Sequence, residues 1–385
     1  MHNHKASFVC ALFLMVAAQL VPAQTFTVLY SFTGQADGAN PYGGVIRDTA
    51  GNLYGTTRSG GSSNYGTVFK IETTGAEVVL HSFTGPRGDG AYPYAGLVRD
   101  KAGNLYGTTY LGGSSDRGTV FKLDTNGKET VLHSFRGGAK DGANPYGSLI
   151  WDGAQTFYGT TYFGGTFGYG TLFKVDTGGR HAVLHSFAGG ARDGAYPYYT
   201  ELLMDKMQNL YGLTMEGGTS NFGTIYKFSK SGRLTVLHSF AGDSTDGCYP
   251  VGAPIMDGAG NLYGTTNSCG SSNFGTVWAL SSGGADTMLH DFAGGNGDGA
   301  YPLAGVIRDS NGNLYGTTEE GGYDIRGTVY ELDKSGHETL LHSFNYNPDG
   351  VFPFDGVIRD ADGVLYGTAA EGGPGGYGTV WELSP

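Results

Sequence analysis

Two glutamates interrupt a pattern that otherwise repeats along the chain. Glu201 stands where the matching positions hold Gly44, Gly96, Ser148, Ala253, Gly305 and Gly356, and Glu216 follows in the next loop of the same repeat. Two carboxylates brought to one face would suit acid–base chemistry on a glycosidic bond. Drift in a loosely constrained loop is the plainer account, because a motif alone does not fix function. Asp37, Asp89, Asp141, Asp193, Asp246, Asp298 and Asp349 each precede a glycine and offer a second set of carboxylates for calcium or sugar hydroxyls. Calcium needs six to eight converging oxygens, whereas one aspartate per repeat gives separation, so these read first as turn residues. Tyrosines flank the prolines of the same loops, with Tyr42, Tyr94, Tyr146 and Tyr198 directly after them. Aromatic faces bordered by Asp89 and Asp193 fit carbohydrate recognition, in which rings stack on sugar C–H bonds. Packing between repeats is the competing use of such large rings.

The remaining reactive side chains point away from catalysis. His81, His133, His185, His238, His290 and His342 occur once per repeat, with Tyr30 at the seventh place. Zinc would require its ligands within about 2 Å of one centre, and one histidine per repeat cannot meet that. Hydrogen bonding between repeats is the expected role, since buried polar groups need partners. Arg47, Arg99, Arg308 and Arg359 share one position and could bind an anion; pairing with a neighbouring aspartate or repeat is the plainer use. Cys248 and Cys269 fall in two loops of one repeat and are expected to form a disulfide. The chain carries no nucleophile elbow, phosphate-cradling loop or zinc signature, and no G-x-G opens a helix. No cofactor and no metal are expected.

The elements that position these residues follow from the repeat. The tyrosine of a Y-G-T unit falls at Tyr54, Tyr106, Tyr158, Tyr211, Tyr263, Tyr315 and Tyr366, at intervals of 52, 52, 53, 52, 52 and 51 residues. A period of this size that fills a chain marks a repeat architecture. Each unit holds four short β-patterned runs between turn signals, without helical periodicity. In the second unit these are 96–99, 105–109, 118–123 and 130–135, with Asp100–Asn104 and Asp124–Gly127 as tight turns. Four antiparallel strands repeated radially predict an all-β, seven-bladed β-propeller. The first run, 26–32, reads as a fourth strand, and the last, ending at Leu383, as a third. Their pairing would close the ring and remove an exposed edge.

The units D-x-x-G-N-L-Y-G-T-T and G-G-x-x-x-x-G-T-V-F resemble the GloVer-type tandem repeats of exported bacterial proteins, over residues from about 25 to 385. The resemblance implies a repeat fold and an exported location, and little about activity. Many such proteins carry a C-terminal sorting anchor, which Leu383-Ser384-Pro385 does not resemble.

Composition agrees with this class. The 70 glycines recur at fixed offsets, so they mark turns and close approaches where unpatterned glycine would mark disorder. The net charge of −12 disfavours nucleic acid and anionic membranes. Residues 1–23 have the weakly basic start, apolar run and small-residue end of a signal peptide, leaving 24–385 as the propeller. The expected protein is secreted or periplasmic, without membrane insertion. It would act as a non-enzymatic binding or scaffold propeller that meets an extracellular glycan or protein on its loop face. The alternative is a secreted polysaccharide hydrolase or lyase using Glu201 and Glu216.

Overall fold

The computed structural model describes residues 24–385 apart from Arg87. The leader assigned to residues 1–23 therefore lies outside the described residues. Among the described residues every regular element is a strand, and no helix is long and apolar enough to cross a membrane. Seven four-stranded antiparallel sheets form the blades of a propeller. Blade one runs outward through Ile46–Arg47, Leu53–Thr57, Thr67–Ile71 and Glu77–Ser82. Blade seven is assembled from both ends of the described chain. Thr25–Ser31 pairs with Thr379–Ser384, placing Val28 opposite Trp381 and Tyr30 opposite Val380.

Local chemistry accounts for the shape of a blade. In the first hairpin Asp48 Oδ1 accepts the N–H groups of Ala50 and Asn52, while Oδ2 accepts the Asn52 amide and the Tyr54 hydroxyl. One carboxylate thus closes the turn and anchors the next strand. Burial alone would raise the Asp48 pKa, but the donors, led by Asn52, hold it below the ordinary value. The glycine of Y-G-T faces an aromatic ring across the sheet. Gly55 pairs with Phe69, and a Cβ there would collide with that ring. The same clash recurs from Gly107 with Phe121 to Gly367 with Trp381. The outer strand carries a bulge that skips Leu80 in blade one and Leu132 in blade two, adding local twist.

The core lies between blades. Val68 and Phe83 of blade one pack with Leu97, Leu105, Phe121 and Leu123 of blade two. Phe32 and Val380 of blade seven pack with Val45, Leu53 and Phe69 of blade one, sealing the ring. Burying a ring such as Phe83 completely contributes on the order of 2 kcal/mol. A further ribbon links the loops at the entry to several blades, as in Gly90–Ala91 with Leu111–Gly112. In blade five this ribbon merges into the long strands Gly247–Met256 and Leu262–Cys269. Cys248 and Cys269 are disulfide-bonded there.

Candidate functional site

The innermost strands surround a central chamber of about 300 Å³. Small residues, including Gly44, Gly96, Gly305 and Gly356, leave the space open, and Ile46, Ile255, Ile307 and Ile358 line it further along the strands. Tyr42, Tyr94, Tyr146, Tyr199 and Phe354 border its other end. Among the described residues of this wall the carboxylates are Glu201 and Asp355, and none is a lysine, arginine or histidine.

Glu201 is there because blade four breaks the symmetry of the inner ring. Elsewhere a threonine of one blade donates to a carbonyl of the next. Thr56 reaches Ala95 O at 2.9 Å, Thr108 reaches Gly147 O at 3.2 Å, and Thr265 reaches Ala304 O at 2.7 Å. Thr317 and Thr368 continue the series to Asp355 and Gly43. Both exceptions flank blade four. The Thr160 hydroxyl is buried without a partner, and Leu213 replaces the next threonine. The extra residue of this repeat lets the backbone of blade four bond blade five directly. Gly252 N donates to Tyr199 O at 2.7 Å, and Glu201 N donates to Gly252 O at 3.2 Å. With that carbonyl engaged, Leu213 has no acceptor to serve. Tyr199 adopts a left-handed φ of 46°, a sparsely populated conformation for a bulky residue.

The structure brings all four candidate tyrosines together. Ring centroids are 5.3 Å apart for Tyr42 and Tyr94, 4.8 Å for Tyr94 and Tyr146, and 4.7 Å for Tyr146 and Tyr198. Phe354 extends the run from blade seven, stacking on Tyr42 at 4.6 Å. Arg58 crosses the rim. Its Nε donates to Tyr94 Oη at 2.6 Å, and its guanidinium carbon lies 5.6 Å from the Tyr42 centroid. The rim rings therefore already accommodate one cation. Burial, then the neighbouring phenols, raises the Tyr198 hydroxyl to about 12, so this phenol is a neutral donor at physiological pH.

The acidic pair differs from the one the sequence suggested. Glu216 pairs with Ala195 at the rim and lies in the electrostatic neighbourhood of Tyr162 and Tyr196. The carboxylate whose field reaches Glu201 is Asp355, so Glu201 and Glu216 do not form the expected couple. Burial and then the Asp355 charge push Glu201 up to about 7. Asp355 is raised by burial, against the N–H groups of Gly44 and Gly356 that its two oxygens accept. Both residues keep some surface open to the chamber, yet protein surrounds that surface, which explains the strong effect of desolvation. Asp355 occupies a position held elsewhere by Gly43, Ala95, Gly147, Thr200, Gly252 and Ala304. Comparing that column would have revealed it.

Asp89 and Asp193, grouped with the tyrosines on sequence, stand apart from them. Asp89 accepts the N–H groups of Thr84 and Gly90 and the Thr84 hydroxyl, and meets His81 Nε2 at 3.4 Å. Asp193 accepts from Ala188 and Gly194 and meets His185 at 2.9 Å. These carboxylates are occupied by their own turns and by outer-strand histidines. The pattern recurs from His133 with Asp141 to His342 with Asp349, and Tyr30 bonds Asp37 in the seventh place.

A third residue from the following blade completes each pair. Burial and then the facing aspartate push Glu77 and Glu129 up to about 7, through Asp37 and Asp89 respectively, and Glu338 likewise beside Asp298. His181 stacks on His133 at 3.8 Å, bringing together two histidines that the repeat alone would keep apart. Among the described residues His133, Asp141 and His181, and His238, Asp246 and Asp286, have metal-ligand proximity. The near-parallel rings of His133 and His181, 8° apart, aim their nitrogens alongside one another, so a shared ion would require ring rotation.

On the opposite face each arginine covers a tyrosine of the preceding blade. Arg99 lies 5.9 Å from the Tyr54 centroid, and Arg359 lies 5.5 Å from that of Tyr315. Arg47 lies over Tyr366 and pairs with Asp360 at 3.8 Å. Interblade packing occupies these cations.

The Gloeobacter/Verrucomicrobia repeat matches residues 16–206 and 191–381. The chain belongs to the Gloeobacter/Verrucomicrobia repeat family. No curated protein matches the sequence. Among solved structures, this repeat protein is similar to a candidate 6-phosphogluconolactonase from Bacteroides uniformis. That likeness has a TM-score of 0.52 and 17% identity, covering 83% of this chain and 88% of the other. It is also similar to the extracellular domain of a candidate one-component system from B. thetaiotaomicron, with a TM-score of 0.54 and 9% identity. That match covers 93% of this chain and 40% of the other. A candidate gluconolactonase aligns at a TM-score of 0.45 and 10% identity over 94% and 92% of the two chains, too distant to carry an argument. At these identities the likenesses speak to the propeller fold of the repeat family and to nothing finer.

Proposed function

We propose that this member of the repeat family is an exported, non-enzymatic binding or scaffold propeller that recognises an extracellular glycan or protein through its loop-rich face. A glycan is the better fit. The observation that carries this reading is the unbroken run of rings from Phe354 through Tyr42, Tyr94 and Tyr146 to Tyr198. Aromatic surfaces with neutral hydroxyls stack on sugar faces and bond their edges. Similar side chains on successive blades favour several weak contacts over a single reaction centre. The net charge of −12 supports setting nucleic acid aside. The mature protein on a glycan array tests this reading. Binding that weakens several-fold in Tyr198→Ala is expected, and an array without signal would overturn the glycan assignment.

One observation favours a second reading, secreted polysaccharide cleavage. A carboxyl near 7 beside a second carboxylate is the arrangement a general acid needs, with Asp355 in the part first given to Glu216. Product formation from a polysaccharide, lost in Glu201→Gln, would support the enzyme over the binding protein.

A further inference from the structure

We propose that the central chamber selects a primary amine on a small polar scaffold, an amino sugar, held by Glu201, Asp355 and Ser148 beneath the tyrosine rim. It relies on the glycan reading for the scaffold of the ligand, and on the chamber alone for the amine.

Three observations carry the amine. The chamber is of small-ligand size, about 300 Å³. Its charged lining is of one sign, Glu201 and Asp355, with the phenols of Tyr42, Tyr94, Tyr146 and Tyr199 as the other titratable groups facing it. Arg58 is a cation at the rim, and it is engaged by Tyr94. Ser148 is 8% exposed, lines the same wall, and its Oγ has no partner within hydrogen-bond geometry. It lies close enough to Glu201 to favour the charged carboxylate. A buried hydroxyl this loosely satisfied by Glu201 gains from a ligand that donates to it. An ammonium group has three donors and no acceptor, matching two carboxylates and one hydroxyl. Asp355 is fixed through its contacts with Gly44 and Gly356, so part of the site is already ordered. The tyrosine faces above suit a cation, as Arg58 over Tyr42 illustrates. A neutral N-acetylated sugar would leave the carboxylates unpaired.

Isothermal titration of the full mature protein with glucosamine, N-acetylglucosamine, glucose and Nα-acetyl-lysine amide tests the assignment. Glucosamine is expected to bind at least about tenfold more tightly than either neutral sugar. Its affinity should fall on the acid side as Glu201 takes up a proton and on the alkaline side as the amine loses one. Glu201→Gln should abolish the preference while melting at or above the parent temperature, since it removes a buried carboxylate. Asp355→Asn should abolish it too, with a lower melting temperature, because one of the Gly44 and Gly356 N–H groups loses its acceptor. Equal affinity for the sugars, no binding of glucosamine, or a preference that survives both variants would overturn the chamber assignment. Tighter binding of the lysine amide would overturn the sugar part of it. The array signal for neutral oligosaccharides, sensitive to Tyr198→Ala and indifferent to Glu201→Gln, reports separately on the rim.

Discussion

A single methyl group is enough to test the Y-G-T motif. Gly264 faces Trp278 so closely that a Cβ would enter the indole. Gly264→Ala should therefore destabilise the protein by about 1–3 kcal/mol through overpacking, read as a lower melting temperature. The facing aromatics make an opposite prediction. Tyr226 and Tyr330 occupy the place of Phe69, Phe121 and Phe173, and their buried hydroxyls have no partner. Tyr330→Phe should raise stability by about 1 kcal/mol, because an unpaired buried hydroxyl costs more than a missing one. Recurrence in the sequence identified Tyr42, Tyr94, Tyr146 and Tyr198 as a set, and the fold unites them. Asp355 was as legible as Glu201, since it is the one charged residue in a column otherwise of Gly, Ala and Thr, adjacent to the column that exposed Glu201. The Glu201–Glu216 pairing failed for a physical reason. Residues 15 apart in one repeat diverge along different strands, and distance through the chain carries no information about distance across a channel.

Between elements, the outer seams give the molecule its own pH response. Glu77, Glu129 and Glu338 have folded pKa values of about 7, against 4.5 for an ordinary glutamate. Asp286 is raised by burial and by Asp246, with His238 opposing. A raised carboxyl pKa means the folded state holds the proton more tightly, so stability is lost as pH rises from 4.5 through 7. His238 acts in the same direction. Burial lowers its pKa, but Asp246 and Asp286 more than offset this, and the stability it adds disappears at higher pH. His181 acts against them. Burial and then His133 depress it to about 4, costing stability as pH falls from 6.5. Four raised acids and His238 outnumber this single opponent. Melting temperature should thus be higher at pH 5 than at pH 8, and Glu129→Gln should flatten the slope. A curve rising from pH 5 to 8 would count against this account of the seams. The strand and turn pattern was legible because Asp48, Asn52 and Tyr54 act within one hairpin. The seam groups were not, because Glu129 and Asp89 belong to different blades, and nothing local to either residue announces the other.

For the whole molecule, closure is the element on which cooperativity depends. Removing residues 25–32 would expose Thr379–Ser384 as an edge and take Phe32 out of the seam it shares with Val380 and Phe69. That truncation should unfold or aggregate. A circular permutant carrying the same strand after residue 385 should melt within a few degrees of the parent. Equal stability of the truncation, measured by calorimetry, would show that the ring does not depend on this strand. The propeller itself was legible from the period and from the phase of the first and last strands, since closure depends only on the order of elements. The direct link between blades four and five was not legible, because one extra residue reveals an insertion without revealing which carbonyl it will engage. The seams carry one more consequence. Repeats this alike risk docking in the wrong order, and although glutamate recurs in the third place at Glu77, Glu129 and Glu338, other seams carry a different residue there. His181 lies on His133, Asp286 faces His238, and Phe26 stacks on His342. These distinct junctions act as addresses, so exchanging blades three and five, which carry His181 and Asp286 there, should misassemble even though their backbones would superimpose.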